Sequence, residues 1–182
     1  MRYPLCIAAL LAASPAAAAH WNVDAAKSRL GFTLSWAGQP FNATFKSWKA
    51  NVDFDPNDLA HSSADVTIDV ASEVSGDDDT DQGVKGAQGF QTTQFSSARF
   101  QTVSIAHKSG NDYVAQAKLT IRGVTKPVTL PFTLTIAGAG AHMTGAAQVS
   151  RMDFGVGTGG DFSKPAPVAY QVTVKVDLTA TK

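Results

Sequence analysis

The stretch Leu119-Thr120-Ile121-Arg122-Gly123-Val124-Thr125-Lys126-Pro127-Val128-Thr129-Leu130 reads as strand, tight turn, strand. Leu119 and Ile121 alternate with Thr120 and Arg122, and Gly123 supplies the positive φ that a hairpin turn needs. After the turn, Val128, Leu130, Phe132, Leu134 and Ile136 alternate with Thr129, Pro131, Thr133 and Thr135, a long one-sided strand. Two such strands cannot stand alone in water, so the remaining chain must supply sheet partners.

Outward from this hairpin the same period-2 pattern recurs. Leu30, Phe32, Leu34 and Trp36 predict a first strand, broken by Gly38-Gln39-Pro40. Phe41, Ala43 and Phe45 alternate next, then Trp48, Ala50, Val52 and Phe54, and Asp55-Pro56-Asn57-Asp58 is turn chemistry. Val66, Ile68 and Val70 give a third strand. Strands resume with Phe100 to His107, then Tyr113, Ala115, Ala117 and Leu119, then Met143, Gly145, Ala147 and Val149. Tyr170, Val172, Val174, Val176 and Leu178 form the cleanest one. Between Ser75 and Ala98 alternation stops: Gly76 to Asp81 reads as an acidic loop, and Val84 to Phe95 as a short irregular helix with Phe90 and Phe95 turned inward.

Composition agrees with strands. Of 182 residues 44% are hydrophobic and 16% charged, which argues against disorder and coiled coil. Thr and Val are abundant, while Glu73 is the only glutamate. Net charge is zero with no basic run, so nucleic acid is an unsuited partner. The first 19 residues differ in kind. Arg2, the apolar run Leu5 to Ala13 and Ala17-Ala18-Ala19 describe a secretory signal peptide, with cleavage expected before His20 and a periplasmic destination. The only cysteine, Cys6, falls inside it, so the mature domain (residues 20–182) must be held by burial and sheet hydrogen bonds alone.

No linker or repeat divides the mature chain. Eight or nine strands at antiparallel spacing predict an all-β fold, an eight-stranded antiparallel up-and-down barrel with a short helical insertion near residues 84–95, since closure removes exposed edges. Such a barrel is wide enough for either a filled core or one enclosed ligand. Small inner residues (Ala115, Ala117, Gly145, Ala147) face aromatics (Phe32, Trp36, Phe41, Phe45, Trp48, Phe54, Phe100, Phe132), which fits tight interdigitation and a lined tunnel equally well.

Sharper chemistry finds little footing. Gly155-Val156-Gly157-Thr158-Gly159-Gly160 satisfies G-x-G-x-x-G formally, but Asp161 to Pro167 cannot form the helix that a dinucleotide site requires. Asp77, Asp79 and Asp81 match the first ligands of a calcium loop, yet Gln82 and Gln88 stand where Gly and Glu belong. The four histidines show no metal-ligand spacing. No catalytic constellation and no cofactor are expected.

Trp21-x-Val23-Asp24, Phe54-Asp55-Pro56, Phe95-x-x-Ala98-x-Phe100, the Leu119 to Val128 hairpin and Arg151-x-Asp153-Phe154-Gly155 together resemble the YceI-like family. The resemblance runs from about Trp21 to the end. It implies a lipocalin-like barrel, exported to the periplasm, that binds a polyisoprenoid such as a quinone tail. The lumen would then be lined by Phe32, Leu34, Trp36, Phe41, Phe45, Trp48, Phe90, Phe95, Phe100, Ala115, Ala117, Leu119, Phe132, Leu134, Ala147 and Phe154, with Arg122 and Arg151 at the rim. The partner is a long-chain apolar lipid, with room for transient contact with a membrane or membrane protein, and for a monomer or homodimer. One departure concerns the mouth: Thr80 stands before Asp81, where the family usually has a basic residue.

Overall fold

The computed structural model describes residues 18–182, so the expected signal peptide, apart from Ala18 and Ala19, and Cys6 lie outside the described residues. The strands are β1 (Ala19–Val23), β2 (Arg29–Trp36), β3 (Gln39–Phe45), β4 (Trp48–Phe54), β5 (Ser63–Asp69), β6 (Glu73–Val74), β7 (Ser97–Ser109), β8 (Asp112–Ile121), β9 (Val124–Ala137), β10 (Gly140–Ser150) and β11 (Gln171–Thr181). Among the described residues there is one α-helix, α1 (Asp78–Lys85), which follows β6. All pairings are antiparallel, and most join neighbours in sequence. Closure comes from β11, which pairs with β10 on one side and with both β1 and β2 on the other.

Because β1 and β2 share that partner, they are two halves of one strand. The same holds for β3 with β4 and for β5 with β6: β4 lies between β1 and β5, and β3 between β2 and β6. The fold is therefore a closed eight-stranded up-and-down barrel with three broken strands. Two of the breaks are stitched together. Ser72 Oγ accepts the Ser47 amide at 2.9 Å, and the Lys46 amide donates to the Ser72 carbonyl at 3.1 Å.

The breaks divide the barrel into two ends. At one end β5 pairs with β7 and the wall is continuous. At the other, β7 starts only at Ser97, and β6 pairs with no strand beyond β3 among the described residues. The gap falls to residues 75–96. The expected helix is present but sits earlier than the sequence suggested: the acidic run forms it, and residues 86–95 are turns. Asp77 caps α1 by accepting the Thr80 amide at 2.8 Å, and Asp78, Asp79 and Asp81 occupy its first turn, where carboxylates meet the positive end of the helix dipole.

The opening hairpin has Ile121 opposite Val124 and a two-residue turn in which both Arg122 (φ 51°) and Gly123 (φ 74°) are left-handed. Two successive positive φ values define the turn that matches strand twist. Glycine is required more strictly at Gly31, where a Cβ would lie 2.3 Å from the Ala43 carbonyl oxygen of β3. Gly31→Ala is therefore expected to cost about 1–3 kcal/mol, since backbone must move to admit a methyl group. Chemical denaturation would read the loss as a lower midpoint at unchanged slope.

Candidate functional site

The closed end is packed. Trp21, Phe54, Tyr113, Ala115, Ala117, Leu119, Val128, Leu130, Phe132, Ala147 and Phe154 form one buried cluster there. A small void of about 100 Å³ remains, between Trp21, Phe100, Leu130, Phe132 and Met143 among others. The gapped end is hollow. It encloses a cavity of about 440 Å³, within the usual range for small-molecule sites. The barrel is thus neither filled nor hollow throughout: the strand breaks separate a solid half from an empty one.

Aromatic rings form one wall. Phe32 lies 6.0 Å from Phe41, 5.8 Å from Phe45 and 6.1 Å from Phe90 between centroids, and Trp36 stands 5.7 Å from Phe41 and 6.4 Å from Phe162. Aliphatic residues from successive strands form the rest: Leu30, Ile68, Ile121, Val149, Val172 and Val174. A wider groove of about 900 Å³ is a contrasting surface, since exposed Arg29, Lys108, Asp112 and Lys175 line it. Charges that remain hydrated there suit no dry ligand.

Two covers close the hollow end. One runs from α1 through Phe90 and contributes Gly83, Val84, Gly86 and Phe90 to the lining; the other is the 155–169 loop, contributing Val156, Gly157, Phe162 and Val168. They meet at Gln88. Its carbonyl accepts the Gly157 amide at 2.6 Å and its side-chain oxygen accepts the Gly159 amide at 3.2 Å. Arg122 spans the same seam, donating to the Gly89 and Gly155 carbonyls at 3.0 and 2.6 Å and to Gln91 Oε1 at 3.0 Å.

Among the described residues Arg151 is the one titratable side chain lining the cavity, and it holds the loop cover from within. It is 5% exposed. Nε donates to the Ala169 carbonyl at 3.0 Å, Nη1 to Val156 and Gly157 at 2.9 and 2.6 Å, and Nη2 to Phe162 and Val168 at 2.6 and 2.9 Å. The Tyr170 ring lies 5.3 Å away. Burial lowers its pKa from the usual guanidinium value, with Tyr170 opposing, and a ring of carbonyl dipoles stands in for the missing carboxylate. Gly157 is fixed by this hub, since a Cβ there would meet Nη1 at 2.5 Å. That is the role of the formal G-x-G-x-x-G run.

The sequence-derived lining divides accordingly. Phe32, Leu34, Trp36, Phe41, Phe45, Phe90, Leu119 and Phe154 border the main cavity. Phe100, Ala115, Phe132 and Leu134 border the small void instead. Ala117 and Ala147 face inward, 3% and 5% exposed, but lie in the packed half, so the small side chains are filled around rather than left open. Trp48 packs beside Leu30 and Ile68, and Phe95 sits under the turn, 3.3 Å from the point where a Gly123 Cβ would be. Neither borders the cavity. Arg151 is no rim residue, because its backbone partners draw it inside; half-buried Arg122 ties the covers. Sequence reasoning missed Val149, Val172 and Val174, whose alternation was legible, and Val156, Phe162 and Val168, which sit in an aperiodic loop. The calcium-like spacing also dissolves: Asp77 caps α1, while Asp81 accepts the amide and hydroxyl of Ser75 at 2.8 and 2.5 Å.

Residues 21–180 match the YceI-like domain family. The chain belongs to that family. Among its relatives, a UPF0312 protein of Photorhabdus laumondii is 32% identical over 126 residues, 68% of this chain and 65% of the relative, just under two thirds of its length. A UPF0312 protein of Serratia proteamaculans is 29% identical over 162 residues, 83% of each chain. The crystal structure of Burkholderia cenocepacia BcnA superposes with a TM-score of 0.84 at 36% identity, covering 88% of this chain and all of that one. A polyisoprenoid binding domain from Saccharophagus degradans, implicated in plant cell wall breakdown, shares the fold at TM-score 0.69 and 16% identity, covering 88% and 97%.

If Arg151 is the anchor of the loop cover, even Arg151→Lys should fail, because one ammonium cannot reach carbonyls on five residues. We expect a loss of about 3 kcal/mol and new protease cleavage within residues 155–169. Unchanged cleavage would mean that the loop is held by its other contacts.

Proposed function

We propose that this YceI-like protein is an exported binding protein that holds a polyisoprenoid or isoprenoid-quinone-like lipid in the hollow half of its barrel, as carrier, store or scavenger. The observation that carries this reading is the cavity wall: about 440 Å³ bordered mostly by aromatic and aliphatic side chains, with Arg151, the one titratable group among the described residues that border it, already committed to backbone carbonyls. A polyprenyl chain offers no hydrogen bonds, and a wall made mostly of aromatic and aliphatic side chains loses little by closing on it. Burial of its surface supplies roughly 25 cal/mol per Å² before ordering costs. The polyisoprenoid-binding domain of the same fold supports the ligand class, and the N-terminal signal-peptide pattern supports export.

An enzyme acting on an isoprenoid or quinone head group would need ionisable groups turned into the cavity. Arg151 borders it with its N–H groups directed elsewhere, which weighs against that reading. A purely structural module with a filled barrel fits the closed end alone.

Native mass spectrometry and solvent extraction of the purified mature protein should recover an apolar lipid, or show uptake of an added polyprenol. A bare polypeptide mass with no uptake sinks the proposal. Val149→Trp places a large ring in the cavity, where space exists, so folding should survive while polyprenol uptake falls about tenfold or more.

A further inference from the structure

Glu73 combines features that no other residue shares among the described residues. It is the only glutamate of the chain, its side chain is 0% exposed, and neither carboxyl oxygen has a hydrogen-bond partner. It sits on β6, the two-residue strand at the unpaired margin of the wall, opposite Phe45 of the cavity lining. α1 packs directly over β6 and brings Asp81 and Lys85 to face it. The paired strand β3 has no titratable side chain, and Lys46 beyond it and Asp69 before β6 are both exposed.

A carboxylate in that position would be shut off from solvent, with no protein donor and a buried Asp81 for a neighbour. The neutral carboxyl loses far less by burial than the ion does. Burial first, and Asp81 second, push the Glu73 pKa up to about 7, against the pull of Lys85. The protonated form therefore stabilises the seated arrangement. That stabilisation is complete below the ordinary carboxyl pKa, and is lost progressively as pH rises to the raised value.

What Glu73 lies beneath gives this a consequence. α1 and the turns after it are the cover that fills the gap in the wall, and Gly83, Val84 and Gly86 are themselves cavity lining. The cover is joined to the opposite loop chiefly at Gln88 and Arg122. The geometry points to a proton-latched lid: neutral Glu73 lets α1 seat over the gap, and ionised Glu73 lifts α1 to reach water, opening the mouth of the cavity. The inference rests on the reading of that cavity as the ligand site. It assigns to the site a regulation by pH, with ligand held tightly in acid and exchanged at and above neutrality.

The test uses the mature protein loaded with N-phenyl-1-naphthylamine, an uncharged apolar dye whose own charge stays fixed over the range. Its release rate should rise by up to about tenfold per pH unit between about pH 5 and about pH 7, then level off. Glu73→Gln should release slowly at every pH. A flat wild-type profile overturns the latch, as does a Glu73→Gln profile with the wild-type slope. Amide hydrogen exchange of residues 78–90 in the wild type, corrected for its intrinsic pH dependence and compared with β9 and β10, gives a second readout. Exchange that accelerates in residues 78–90 alone over the same range supports the latch, and parallel behaviour of all segments overturns it. If the dye does not bind, the ligand-site reading fails on that result, while the exchange profile still decides whether the lid moves.

Discussion

The structure depends on how the last strand closes the ring. β11 pairs with β10 along its whole length, from Gly140↔Thr181 to Ser150↔Gln171, and on its other edge meets β2 and then β1. One straight strand therefore serves as partner to a broken one. That asymmetry lets the barrel be two things at once. Around β1, β4 and β5 the wall is continuous and the interior fills with side chains. Around β2, β3 and β6 the wall is displaced past the breaks and runs out before reaching β7. Packing density cannot be kept across such a gap, so the space it leaves becomes a cavity.

Closing the gapped end without strands requires another source of order, and here it is cationic. Arg122 and Arg151 both donate to carbonyls that irregular backbone leaves unpaired, and an unpaired buried carbonyl is costly. A lysine could satisfy only part of either set; the planar guanidinium reaches several segments at once. Arg122 occupies a left-handed turn position that disfavours side chains, and its three bonds across the seam hold it there. The two arginines that stand out in the sequence motifs therefore secure the roof of the site, and the surface that would touch a ligand is left apolar.

This explains which parts of the molecule were legible in the sequence. Strands were, because one face of each is buried and period-2 alternation records that directly: Leu119, Leu130 and Phe132 all point inward as their spacing requires. The depth at which a residue lies along the barrel axis leaves no such record. Ala117 and Ala147 share their pattern with cavity-lining Leu119 and Val149, one step along β8 and β10, yet lie in the packed half. The covers were the least legible. Acidic Asp77 to Asp81 looked like a solvated loop because helix propensity is poor there, and capping with burial of Asp81 overrode it. Phe162 and Val168 sit in a loop whose shape is set by Arg151, a contact that no local pattern encodes.

The same division bears on selectivity. A wall of rings and branched aliphatics discriminates between apolar molecules weakly, since a methylene more or less changes affinity by only about 1–3 kcal/mol. Polar molecules are disfavoured more strongly, because the Arg151 donors are already taken and most of the remaining lining is apolar. Shape enters through the floor, where Leu119 and Phe154 belong both to the cavity and to the packed cluster. Access at the gapped end involves the roof, because Gly83, Val84 and Phe90 of one cover and Val156, Phe162 and Val168 of the other border the cavity. Affinity in this barrel is thus a property of the strands, whereas the rate at which a ligand comes and goes belongs to the two segments that are not strands at all.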